Sequence, residues 1–160
     1  MQSVCKATLE NHADLGVIFD TDVDRAGCVD HSGNEINRNR LVALAACIAL
    51  EGNEGGTIVT DSITSSGLKA FIERDLGGKH HRFKRGYKNV IDEAQRLTAQ
   101  GLTRLSPLKP PAMRRCGKIN FLDDGAYLMT KIIIKMAQLG KSGKHLEDLI
   151  AMLEELWKAG

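Results

Sequence analysis

Ala13-Asp14-Leu15-Gly16-Val17-Ile18-Phe19-Asp20-Thr21-Asp22-Val23-Asp24-Arg25 is a short apolar run that stops abruptly at an acid. Five residues from Leu15 to Phe19 without a charge fit a buried strand, and the acids that follow fit a loop at its end. Asp20, Asp22 and Asp24 alternate along that loop. Three carboxylates on one tight turn suit a hard divalent cation such as Mg²⁺, which takes oxygen ligands and keeps water or phosphate in its other positions. Arg25, immediately after, offers a planar donor fork to a phosphate oxygen. An acidic, solvated surface turn is the plainer alternative for an isolated Asp-x-Asp-x-Asp, and the preceding strand weighs against it.

Working outward, Gly27 to Asp30 predicts a second short strand, and His31-Ser32-Gly33-Asn34 a tight turn. Leu41, Leu44, Ala45, Ile48 and Ala49 recur at helical spacing, so a helix is expected from Asn39 to about Glu51. Thr57 to Thr60 is strand-like. Thr64 or Ser65 then caps a helix burying Leu68, Phe71, Ile72 and Leu76, which ends at Gly77-Gly78. A brief strand over His80 to Phe83 leads to a helix from Asn89 to Ala99, stopped near Gly101. Strand and helix alternate, so the expected class is α/β, a small mixed sheet covered by helices. Leu102 to Asn120, with Pro107, Pro110, Pro111 and interspersed basic residues, follows neither period and is expected as irregular loop. A long helix from Asp123-Asp124-Gly125 to Leu139, a flexible Gly140 to Gly143 joint and an amphipathic helix from Leu146 to Trp157 complete the order.

Composition narrows the function classes. The 160 residues are 42% hydrophobic and 26% charged, ordinary values for a folded domain. A net charge of +2 carries no polybasic signature, so no nucleic-acid partner is expected. No apolar run is long enough to cross a bilayer and the opening residues lack a secretion signal, so no membrane and a cytoplasmic location are expected. Cys5, Cys28, Cys47 and Cys116 form no Cys-x-x-Cys pair, which fits reduced thiols. His80-His81 reads as strand edge and not as a metal pair, because neighbours on a strand point to opposite faces. His12, His31 and His145 stand alone in the sequence.

The acidic loop is not an EF-hand, since Arg25 and His31 stand where the sixth-position glycine and twelfth-position acid would be. A haloacid-dehalogenase-type phosphatase also opens with a strand and Asp-x-Asp. Here Asp24 stands where that family usually has Thr or Val, and Asp123-Asp124 are expected to open a helix; it is kept as the alternative. Over Asn11 to Leu139 the chain resembles the phosphohexomutases, the phosphoglucomutase and phosphomannomutase superfamily. Asp20 to Arg25 is similar to that family's metal loop, commonly Asp-Gly-Asp-Gly-Asp-Arg. Phe83-Lys84-Arg85-Gly86-Tyr87-Lys88 is similar to the substrate-contacting turn of its third domain. As a basic, glycine-hinged turn after a strand, it can offer cations and backbone amides to a phosphosugar.

The resemblance implies reversible phosphate transfer between O1 and O6 of a hexose phosphate of glucose or mannose. A phosphoserine would be the donor and Mg²⁺ would be held by Asp20, Asp22 and Asp24. Arg25, Lys84, Arg85, Gly86 and Tyr87 are then the expected substrate contacts. It further implies that 1–33 end a second domain, 34–139 form a third α/β/α domain and 140–160 lead toward a fourth. The family's Thr-Ala-Ser-His-Asn-Pro phosphoserine loop has no counterpart in this stretch, so the chain alone is expected to be inactive, with no catalytic nucleophile among its residues. A non-catalytic remnant that binds metal or a partner, self-associating through its last helix, is a further possibility.

Where the family has a Glu-x-Ser-Gly-His sugar loop, this chain has Lys109-Pro110-Pro111-Ala112-Met113. Back-translation of Leu102 to Ile119, read two nucleotides later, can give Asp-Ser-Pro-Leu-Ala-Ile-Glu-Thr-Ser-Gly-His-Ala-Ala-Leu-Arg-Glu-Asn. That contains the missing loop in place, which points to two compensating frame slips near Gly101 and Asn120.

Overall fold

The computed structural model describes residues 1–23, 25–101 and 125–153. The expectations for Asp24, for the 102–124 segment with its frame slips and sugar loop, and for Trp157 lie outside the described residues. The chain divides into two compact units, Met1–Ile48 with Phe121–Gly160, and Ala49–Asn120.

In the first unit β1 (Leu15–Phe19) and β2 (Ala26–Asp30) form an antiparallel hairpin, registered Leu15 with Asp30 and Phe19 with Ala26. The acidic stretch is therefore the turn of this hairpin. A two-residue β3 (Glu35–Ile36) adds to β2 beyond the predicted His31-Asn34 turn, whose backbone is tied by Asp30. The Asp30 carboxylate is buried, and its Oδ1 accepts the Ser32 and Asn34 amides, each at 2.9 Å. Helix α1 (Gln2–Glu10) lies against β1 and β2. The approach is close at Gly16, where an added Cβ would come within 2.8 Å of Val4 Cγ1 and would also strike Thr8.

Helix α2 (Arg38–Leu50) buries an unbroken run from Leu41 to Ala46, together with Ile48 and Leu50. It is apolar around its circumference, broader than the single face expected, as befits a helix enclosed on most sides. Helix α5 (Gly125–Gly140) buries Leu128, Met129 and Ile132 and packs on β1 and β2. At its first residue the backbone runs so near the hairpin that a Cβ on Gly125 would sit 2.9 Å from Ala26 N. The short α6 (Leu146–Leu149) buries Leu146, and Ile150 and Leu153 are buried beyond it.

The second unit is a parallel β-α-β piece. Strands β4 (Thr57–Asp61) and β5 (Lys79–Phe83) pair in parallel, Thr57 with Lys79 and Asp61 with Phe83. Between them Ser65, one of the two expected caps, accepts the Leu68 amide at 3.1 Å and starts α3 (Ser66–Ala70). The helix then widens into a π-type turn over Phe71–Asp75, where the Leu76 amide reaches back to Phe71 O at 3.1 Å. This turn buries both Phe71 and Ile72, and the chain leaves it through Gly77 at φ +64°. Helix α4 (Tyr87–Ala99) follows β5 after a three-residue turn and packs against β4 and β5.

The fold is α/β with small sheets and helices, as expected. Among the described residues its strands sort into two sheets, one antiparallel and one parallel. Among the described residues no helix is long and apolar enough to cross a membrane.

Candidate functional site

Asp20 closes the β1–β2 hairpin from inside. Its amide donates to Arg25 O at 3.2 Å, its carbonyl accepts the Val23 amide at 3.2 Å, and its Oδ1 accepts the Arg25 amide at 3.2 Å. The same carboxylate meets the Arg25 guanidinium, Oδ2 to Nε, at 2.6 Å. Asp20 is only 24% exposed while Arg25 is 80% exposed, so the carboxylate sits at the base of the turn and the arginine on its rim. Asp22 is exposed at the tip. Val23 sits at φ +62°, a left-handed conformation that a β-branched residue adopts only under strain. Such strain is a feature of ligand loops. Asp20 and Asp22 thus offer oxygen donors from one short, internally braced turn, a donor set suited to Mg²⁺ and not to softer metals.

The second predicted group belongs to the other unit. Lys84 and Arg85 are exposed, and Gly86 takes φ +119° immediately before α4. The turn is held by Asn89, whose Nδ2 donates to Arg85 O at 2.8 Å; a Cβ on Gly86 would lie 3.1 Å from that nitrogen. No side chain caps α4, so its first amides open toward the Lys84-Arg85 turn, and Tyr87 is its first residue. A helix start of this length beside two cations is favourable for a phosphate group.

Behind this turn the two adjacent histidines point apart, as strand geometry requires, and both are engaged. His80 Nε2 is 2.7 Å from Thr60 Oγ1, which is also 2.9 Å from Thr64 Oγ1. Burial, then neighbouring Arg82, holds the His80 pKa below its ordinary value near 6.5. His81 Nε2 is 2.9 Å from Glu93 Oε1, and Arg96 grips both oxygens of the same carboxylate at 2.7 and 2.8 Å. The bond from Arg96 holds the Glu93 carboxyl below the usual range. These contacts tie β5 to β4 and to α4, so the strand-edge expectation for His80-His81 captured their opposite directions but not their partners.

His31 and His145, isolated in the sequence, are neighbours in space, with ring centroids 4.6 Å apart and planes at 21°. Glu147 joins them, its Oε1 3.3 Å from His31 Nδ1. No spacing rule could have found this set, because its members come from opposite ends of the chain. Cys28 is fully buried, and burial, aided by nearby Asp30, pushes its thiol up to about 12, which makes it inert packing.

No protein-family model matches the chain. A phosphoglucosamine mutase of Arthrobacter sp. is 27% identical over 158 residues, covering 94% of this chain and 32% of its own length. A phosphomannomutase/phosphoglucomutase of Pseudomonas syringae is 32% identical over 99 residues, 62% of this chain and 21% of its own. The chain is thus similar to mutases of the phosphohexomutase superfamily. A solved phosphoglucomutase/phosphomannomutase family structure from Burkholderia thailandensis shares the fold, with a TM-score of 0.68 at 23% identity over 97% of this chain and 31% of that one. The chain spans about a third of the length of the curated relatives that match most of it. The similarity does not favour the dehalogenase-type phosphatase alternative.

Proposed function

We propose that this chain contributes the metal loop and one substrate-contacting turn to a phosphohexomutase that moves phosphate between O1 and O6 of a hexose phosphate. The observation that carries the proposal is the hairpin turn in which Asp20 binds Arg25 through both backbone and side chain. That arrangement fixes a carboxylate and a guanidinium side by side, so a cation and a phosphate oxygen can be received at one place.

Asp20, Asp22 and Asp24 would hold Mg²⁺, which when bound supplies charge neutralisation for a transferring phosphoryl group. Arg25, anchored by Asp20, would orient a phosphate oxygen. In the second unit, Lys84 and Arg85, with the Gly86 turn and the opening amides of α4, would offer cations and backbone donors to a phosphosugar. Gly86 matters because its backbone conformation excludes a side chain from that approach. The residues 1–33, 34–139 and 140–160 are accordingly proposed as the end of a second domain, a third domain and a passage toward a fourth.

The donor serine is not among these residues, so the chain alone is proposed to bind without turning over. Isothermal titration of the purified chain with MgCl₂ is expected to show one site that disappears in Asp20→Asn. Assay with glucose 1-phosphate and a bisphosphate primer is expected to give no turnover. Mg²⁺ binding unchanged in Asp20→Asn would sink the assignment of the loop, and turnover by the chain alone would sink the requirement for an outside donor.

A further inference from the structure

We propose that His31, His145 and Glu147 form a second metal site, for a divalent transition-metal ion of the zinc class, fastening the β2–β3 turn to the start of α6. The ligand atoms of the three residues lie within 4.8 Å of one another. Tetrahedral zinc with ligands at about 2.0–2.1 Å sets neighbouring donors about 3.3 Å apart. His31 Nδ1 and Glu147 Oε1 are already 3.3 Å apart. His145, stacked on His31 and exposed, places a ring nitrogen within 4.8 Å of the other two ligand atoms.

The surroundings fit such a use. His31 Nε2 is 3.2 Å from Ser32 Oγ, so the tautomer that donates there leaves Nδ1 with a lone pair facing Glu147. A ligating histidine ordinarily has an outer partner of this kind. Both segments are fixed in backbone: Asp30 ties the turn, and Asp148 Oδ2 accepts the His145 amide at 2.7 Å. The three residues line an open cleft of about 540 Å³ with Asp30, Asp148 and Arg40, so acids outnumber the one cation there.

Two imidazoles and one carboxylate select borderline metals, whereas the all-oxygen Asp20 loop selects Mg²⁺. The two sites occupy opposite ends of β2, one at the turn before it and one at the turn after it. The second ion would therefore act as a staple and would not enter the phosphate chemistry.

The test is titration of the EDTA-treated chain with Co²⁺ and then Zn²⁺, in millimolar Mg²⁺ to fill the acidic loop. One equivalent is expected, with a visible Co²⁺ spectrum free of the near-ultraviolet thiolate band. His145→Asn, which keeps a side chain competent at a helix start, and His31→Gln are each expected to weaken binding by more than about tenfold. The double variant Asp20→Asn/Asp22→Asn is expected to bind as the parent does. Zinc should raise the melting temperature of the parent but not of either histidine variant, while all melt alike in EDTA. The proposal is overturned by absence of Co²⁺ binding, by a thiolate band, or by binding that survives in both histidine variants. Loss of binding in the double aspartate variant would overturn it equally.

Discussion

The turn after β1 and the turn after β5 do the same geometric job with opposite means. Each carries charged residues from the end of a strand into the next element, and each needs a residue at positive φ. The basic turn gives that position to Gly86 at φ +119°, whereas the acidic turn forces Val23 to φ +62°. The basic turn leaves Lys84 and Arg85 exposed and is braced by Asn89. The acidic turn is braced by its own candidate ligands, since Asp20 grips Arg25. A turn that carries cations can stay open because their flexible stems reach outward. A turn that gathers carboxylates must offset their mutual repulsion, and Arg25, on the rim and paired with Asp20, does so.

The largest effect expected from breaking this contrast is at Asp20. Asp20→Asn should weaken Mg²⁺ binding by at least about a hundredfold, the upper end of what loss of an outer-shell partner costs elsewhere, about 2.7 kcal/mol. Titration calorimetry checks this, and the same substitution should leave the second unit's unfolding unchanged. Next is Gly86→Val, which imposes on the basic turn the kind of strain the acidic turn tolerates. It should destabilise the second unit by about 2 kcal/mol in urea denaturation, because a side chain there meets both a left-handed backbone and Asn89. The converse change, Val23→Gly, should stabilise by up to about 1 kcal/mol, strain relief being partly offset by the extra backbone entropy of glycine. A loss of stability would show that Val23 packs favourably enough to outweigh its conformation.

The smallest effect is that of pH on the second unit. His80 is neutral-favoured in the fold, so the unfolded chain takes up its proton first. Stability is expected to fall as pH drops from about 7 through the ordinary histidine value near 6.5, and to level off below the folded value. Glu93, held low by Arg96, adds its loss only at more acidic pH, starting near 4.5. Urea titrations at pH 7.5 and 5.5 should differ in the parent and much less in His80→Gln.

Elements with strong patterning were legible beforehand. The run Leu15 to Phe19 is β1 residue for residue, and the helices at 38–50, 87–99 and 125–140 fall close to their apolar periods. Helix α1 was not legible, because only Val4, Cys5, Ala7 and Leu9 interrupt its polar residues and its one fully buried side chain is Thr8. Strand β3 is too short to show a period, and the π-type turn depends on carbonyls choosing more distant amides, as Phe71 O does with the Leu76 amide. The acidic loop and the basic turn stood out as local chemistry. The histidine pair did not, because its members are joined only by the packing of α6 beside the β2–β3 turn.

Sequence alone determined the order of the strongly patterned strands and helices, the acidic and basic character of the two turns and the family resemblance, since each depends on residues near one another in the chain. Tertiary structure alone decided that the strands divide into an antiparallel and a parallel sheet and that His31 meets His145 and Glu147. It also gave the adjacent His80 and His81 different partners. Those outcomes depend on which surfaces bury one another, and burial is a property of the folded chain that no local spacing encodes.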